Sequence, residues 1–174
     1  MLADVAAFDR ETDQHRVDYH LMMRSPVRMM HSRALLDDTV RWLREHDYHV
    51  VSVDASWMIA SHMFRDLASA LGNVCHDQWQ CLSEGVAEAV ADTWDRHAGF
   101  VLVLHGFDVF VRYHREAAQD LLDVIAEKAW PAALLGKRVI CLVQTDDPDL
   151  RLRPVGMSTP SWTDAEWSHA SRGL

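Results

Sequence analysis

Asp54, His105 and Asp146 each stand at the end of, or just beyond, a short apolar run. If those runs form parallel strands, the three residues meet at the carboxyl edge of one sheet, where open α/β sheets bind ligands. A histidine between two carboxylates can act as a general base. The same positions have a simpler use, since Asp54 or Asp108 can cap the helix that follows its strand. Other strings are incomplete. His46-x-x-His49 straddles an expected helix end and strand start, and Cys75-His76 has no second pair to complete a zinc set. His-Glu-x-x-His, Cys-x-x-Cys, Gly-x-Gly-x-x-Gly, the P-loop and Gly-x-Ser-x-Gly do not occur. The expectation is no metal and no cofactor. Asp146-Asp147-Pro148-Asp149 reads either as an acidic binding loop or as a turn that leaves a strand.

The elements that must position these residues are legible from periodicity. His49–Val53, Phe100–Leu104 and Arg138–Val143 are apolar runs of strand length. Runs of that kind suit strands covered on both faces, which predicts parallel strands near 49–54, 100–105 and 138–144. Between them lie helical patterns. Phe64, Leu67, Ala68 and Leu71 mark one helix, stopped by Gly72. Trp79, Leu82, Val86, Ala89 and Val90 mark a second, with Asp77 as N-cap and Gln80 three residues on. Ala118, Leu121, Leu122 and Ile125 mark a third, running up to Trp130-Pro131. The order strand, two helices, strand, helix, strand predicts an α/β fold, a small three-stranded parallel sheet packed by helices.

An extension precedes this core. Val17–Leu21 and Val27–Met30, separated by Arg24-Ser25-Pro26, read as a β-hairpin or two edge strands, and Leu36, Val40 and Leu43 predict a helix over about 34–46. Thr163-Asp164-Ala165-Glu166 reads as a capping box that opens a short last helix. The expected organisation is a flexible 1–15 and one domain over 16–174. That domain divides into a 16–46 extension, a 47–146 core and a 147–174 tail. The extension's Met22, Met23, Met29 and Met30 suit either an adaptable partner surface or packing on the sheet.

Composition narrows the functional classes. The 174 residues are 49% hydrophobic with seven Trp, enough apolar surface for a core. The net charge of -9 argues against direct nucleic-acid binding, which needs Lys and Arg to displace counterions, and permits a basic protein partner. No apolar run approaches the roughly 20 residues of a membrane span, and the start of the chain lacks a signal-peptide layout, so a cytoplasmic location is expected. Cys75, Cys81 and Cys141 make no paired framework, and Cys81 and Cys141 read as buried thiols. Lys128 and Lys137 are the only lysines and Asn73 the only asparagine, a skew that suggests a GC-rich bacterial genome.

Several strings, taken in order, resemble the barstar family of intracellular ribonuclease inhibitors. Trp79-Gln80-Cys81-Leu82 resembles the end of the family's Asp-Ala-Leu-x-Asp-Cys-Leu segment. The run Gly99–Phe110 is similar to the family's next strand and helix start. Ala133–Pro148, Trp42-Leu43-Arg44, Val51–Ala55 and Trp162–Trp167 are similar to a larger bacterial barstar-like subfamily. Together these strings span roughly residues 35–170.

The resemblance implies an inhibitor or immunity-type protein, not an enzyme, that occludes the active site of a ribonuclease or toxin. It places the partner-binding surface at Asn73, His76, Asp77, Trp79, Gln80 and Glu84. Family members present tyrosines and aspartates here, with the acids standing in for substrate phosphates opposite Arg and Lys. This chain departs from that pattern. Leu71 to Cys81 is too short for the family's aromatic loop, Gln80 replaces the last aspartate, and His76 falls at the earlier one. Two other readings stay open: an interaction module that kept the fold and changed partner, and a small enzyme using Asp54, His105 and Asp146.

Overall fold

The computed structural model describes residues 8–58, 62–70, 79–93 and 95–174. The chain is α/β, built on a five-stranded, all-parallel sheet. Its strands are β1 (Val27–Met30), β2 (Tyr48–Asp54), β3 (Gly99–His105), β4 (Val139–Gln144) and β5 (Ser161–Trp162). The helices are α1 (Arg10–Asp13), α2 (Val17–Met22), α3 (Arg33–Glu45), α4 (Met63–Ala70), α5 (Trp79–Thr93), α6 (Phe107–Tyr113) and α7 (Arg115–Leu134).

Strand order is β2-β3-β4-β1-β5. The three expected strands are present, adjacent and parallel, with Val51 level with Leu102 and Leu102 level with Cys141. Two further strands extend the sheet beyond them, so it has five strands and not three. Every residue of β4, and every residue of β3 up to Leu104, is buried, as an unbroken apolar run requires when helices cover both faces. Phe100, Leu102 and Leu104 point to one side and pack with Leu67 of α4, Val86 and Val90 of α5, Phe107 and Phe110 of α6, and Leu121, Leu122 and Ile125 of α7. Val101 and Val103 point to the other, against Leu36, Val40 and Leu43 of α3.

The N-terminal hairpin is not formed. Val17–Leu21 lies within helix α2, and β1 is an interior strand between β4 and β5. Val17, Tyr19 and Leu21 alternate as a strand would, but Val17 and Leu21 also stand four apart and share one helix face. Both pack into the α3 side of the core. Asp18 decides between the two periods, because its carboxylate is fully buried. Arg16 donates to it through Nε (3.0 Å) and Nη2 (2.7 Å) and Tyr48 through its hydroxyl, a cage that the helical turn assembles. Strand β1 pairs with β4 over Val27–Met30 and its four residues are buried, so Met29 and Met30 are core residues and not a free edge.

Two chain endings also differ from expectation. Helix α7 continues through Pro131 to Leu134 although the proline has no N–H for the carbonyl four residues back; Ala129 and Ala132 on either side of it are buried in the core and hold the last turn. At Thr163 there is a single 3-10 turn, Asp164–Glu166, and the threonine hydroxyl caps nothing. Glu166 turns away from its own turn and is buried, accepting from the backbone N–H of His31 (2.9 Å) and Ser32 (2.7 Å) at the entry to α3.

Candidate functional site

Two regions follow from the sequence, the surface around α5 and the carboxyl edge of the sheet. Of the six expected partner-binding residues, Asn73, His76 and Asp77 lie outside the described residues. Trp79 and Gln80 form the first turn of α5, and Glu84 is exposed one turn further on.

Helix α5 is divided by side-chain type. Gly85, Val86, Ala89, Val90 and Thr93 are buried, while Glu84, Glu88 and Asp92 recur every fourth residue on the exposed side. No Lys or Arg occurs between Trp79 and Thr93. Helix α7 packs beside α5 and shows solvent Asp120 and Glu127, with Asp123 half-buried between them. A shallow groove runs between the two helices, lined by Ala87 and Val90 on one side and Lys128, Pro131 and Ala132 on the other. Lys128 has Glu127 as its neighbour at 3.3 Å. The surface is therefore an acidic ridge beside a weakly apolar trough. Sequence reasoning found Glu84 but missed Glu88, Asp92 and the α7 acids. The four-residue spacing of acids on α5 was the available signal.

At the carboxyl edge the fold collects the strand ends near a topological switch. The chain leaves β1 for α3 on one face of the sheet and leaves β3 for α6 on the other. Asp54 and His105 are level on neighbouring strands. Asp54 accepts from Ser56 through both N–H (3.0 Å) and hydroxyl (2.5 Å) and caps the 3-10 turn Ala55–Trp57. Gln144 is fully buried and joins two strand exits. Its Oε1 accepts from Gly106 N–H, and its Nε2 donates to Asp146 Oδ1, each at 2.8 Å. Asp146 also accepts from Arg33 (2.7 Å), and its own N–H donates to Asp108 Oδ1 (3.0 Å). The Arg33 and Gln144 hydrogen bonds hold the Asp146 carboxyl below the usual range.

Each of the three aspartates here is occupied in capping a turn or bridging two loops. Among the described residues no hydrogen bond or ion pair joins His105 to Asp54 or Asp146. Asp108, expected as a helix cap, instead ties the start of α6 to the loop after β4.

The histidine pair is not a chelate either. His46 stacks on Trp42 and bonds its carbonyl through Nδ1, whereas His49 faces His97 and Phe100. Cys141 is fully buried, which pushes its thiol far up, while Cys75-His76 lies outside the described residues. Among the described residues no group of three or more His, Cys, Asp or Glu could hold a metal ion. Among them, too, no helix is long and apolar enough to cross a membrane. Comparison with known proteins finds no family model, curated protein or solved structure that matches the chain.

Proposed function

We propose that the chain is a protein-binding module of the barstar type, a cytoplasmic inhibitor or immunity-type protein that occludes a basic ribonuclease or toxin. The observation that carries the reading is the exposed side of α5, where acids recur at every turn without a single basic residue, flanked by the acids of α7. Such a face steers a basic partner into place and supplies acceptors for its Arg and Lys. The succession β2-α4-α5-β3-α6-α7-β4 supports the family resemblance in element order, and the α4-to-α5 connection would complete the binding surface with Asn73, His76 and Asp77. The strand-end aspartates each hold a turn or a loop, and none is bonded to His105 among the described residues, which supports a binding role over a catalytic one.

The test is capture of the partner from the native cell lysate, followed by assay of that partner's own activity. The expected result is a basic protein whose nuclease or toxin activity falls as the chain is added. Combined Glu84→Lys, Glu88→Lys and Asp92→Lys changes should release it. Retained capture by the charge-reversed variant would reject the α5 surface. Capture without loss of the partner's activity would favour an interaction module that is not an inhibitor.

A further inference from the structure

We infer that the trough between α5 and α7 is a docking groove for one amphipathic helix of a basic partner, a helix whose apolar stripe is edged on both sides by Lys and Arg. The inference rests on the partner-binding reading of α5 and specifies the element that this surface receives.

The groove has the cross-section that such a helix requires. Its walls are small or apolar, Ala87 and Val90 on α5 and Pro131, Ala132 and Leu135 on α7, around a volume of about 350 Å³. Pro131 is exposed and Leu135 is 58% exposed, so apolar surface lies open to water here. Acids flank these walls on both sides. At about 100° of rotation per residue, Glu88 and Asp92 stand beyond Ala87 on the side of α5 turned away from Val90. By the same rotation, Asp120 and Glu127 of α7 stand beyond Leu135 on the side turned away from Ala132. Glu88, Asp92 and Asp120 are exposed, and among the described residues no ion pair engages them. Lys128 is the one base on the walls; its side chain is 25% exposed and its ammonium lies 3.3 Å from Glu127. An apolar trough edged by acids is the complement of an apolar stripe edged by bases.

The occupant is a helix and not an extended segment. Helices α5 and α7 satisfy their own backbone groups and offer no free edge to pair with. An extended segment pressed between them would bury N–H and C=O groups without partners, whereas a helix brings its own bonds. Small side chains at Ala87 and Ala91 let a third helix approach to the usual interaxial distance of roughly 8–10 Å. Along α7 the wall runs from Asp120 past Val124 and Glu127 to Leu135. At about 1.5 Å per residue that is roughly 22 Å, or about four turns of partner helix.

Fluorescence anisotropy of the full chain with three labelled peptides, each of about five helical turns, tests the assignment. The first contains Lys, Leu and Ala with the leucines spaced for one helix face. The second has the same composition with Leu and Lys alternating. The third has Glu in place of every Lys of the first. The helical basic peptide should bind saturably and at least tenfold tighter than the alternating one, and the Glu peptide should not bind. Ala87→Gln with Leu135→Gln leaves the charge unchanged and should weaken the helical peptide about tenfold. Glu88→Lys with Asp92→Lys should weaken it at least as much. Circular dichroism reports whether each variant is folded. If the paired Gln variant does not fold, Leu135→Gln alone, at an exposed position, decides. Equal binding of the two basic peptides, or unchanged affinity in the Gln variant, would overturn the groove and leave the acidic partner surface standing. No binding of the helical basic peptide up to roughly 1 mM would overturn it as well. The partner surface itself fails on a different readout, capture of the native partner by the charge-reversed chain.

Discussion

Tyr48 donates its hydroxyl to the carboxylate of Asp18, joining the first residue of β2 to the first turn of α2 inside the core. The bond spans 30 residues of chain and anchors a helix too short to be stable alone. Burial opposes ionisation of Asp18, but hydrogen bonds from Arg16 and Tyr48 outweigh it and hold the carboxyl below its ordinary value.

A pH dependence follows from that depression. The folded protein ionises Asp18 more readily than the unfolded chain, so its contribution is fully present above the unfolded value near 3.9. It fades as pH falls through the lower folded value. Asp18→Asn removes this acid-side loss and leaves Arg16 and Arg138 facing a neutral group. At pH 7 it should cost about 1.5–3 kcal/mol, the range for hydrogen bonds to a charged group, because Arg16 is a third exposed and stays hydrated when its partner is lost. Urea denaturation at pH 7 and at about pH 3 checks both parts. A variant as pH-sensitive as the parent would mean that other carboxylates carry the acid transition.

Gly106 and Gln144 make a second stability test. Gly106 sits at φ 61° between β3 and α6, and a Cβ there would approach Ser56 Cβ to 3.0 Å. Gly106→Ala should therefore cost about 1–2 kcal/mol from the left-handed backbone alone. Gln144→Leu strands the buried Gly106 N–H and should cost about 1–3 kcal/mol. Alanine keeps the backbone N–H that donates to Gln144, so the double variant should lose less than the sum of the singles only if strain at Gly106→Ala moves that N–H away from Gln144 Oε1. Chemical denaturation of the four-membered cycle gives the coupling.

His105→Ala tests the strand-end reading. If the carboxyl edge serves the fold and not catalysis, this variant should keep partner binding unchanged within experimental error. It should show no lost turnover of RNA, ester or phosphate substrates. Turnover by the parent that vanishes in His105→Ala would instead make Asp54, His105 and Asp146 an active edge.

The parallel core was legible because Phe100–Leu104 and Val139–Val143 are apolar without interruption, which only two covered faces explain. The N-terminal part was not, because a five-residue pattern such as Val17–Leu21 fits periods of 2 and of 3.6 equally well. What settles it is tertiary, the burial of Asp18 against a tyrosine 30 residues away. Likewise β5 is two residues long, and nothing in Ser161-Trp162 alone announces a strand. The burial of Arg28 was not legible for a related reason. An arginine in a short strand reads as exposed until β5 and Asp164 close over it.

The resemblance to barstar sets the last prediction, because the chain departs from the family where contact with a ribonuclease should be strongest. Charge-assisted hydrogen bonds to active-site Arg and Lys dominate interfaces of that type. This chain has Gln80 at the family's last aspartate, and the segment before α5 is too short for the aromatic loop. Losing a buried ionic contact of that kind costs about 2–5 kcal/mol, or roughly one and a half to four decades of affinity. Weak or no inhibition of a barnase-type ribonuclease is therefore expected from the unmodified chain. Gln80→Asp should strengthen it, since the residue lies on the first turn of α5, where a carboxylate is also favoured by the helix dipole. Titration of both proteins against the enzyme, read as residual RNA cleavage, measures the difference. Nanomolar inhibition by the unmodified chain would overturn this expectation and show that the missing aspartate and aromatic loop carry less weight than the family pattern implies. An unchanged Gln80→Asp variant would place the contact elsewhere on the acidic ridge, and charge reversal at Asp120 and Glu127 of α7 would then locate it.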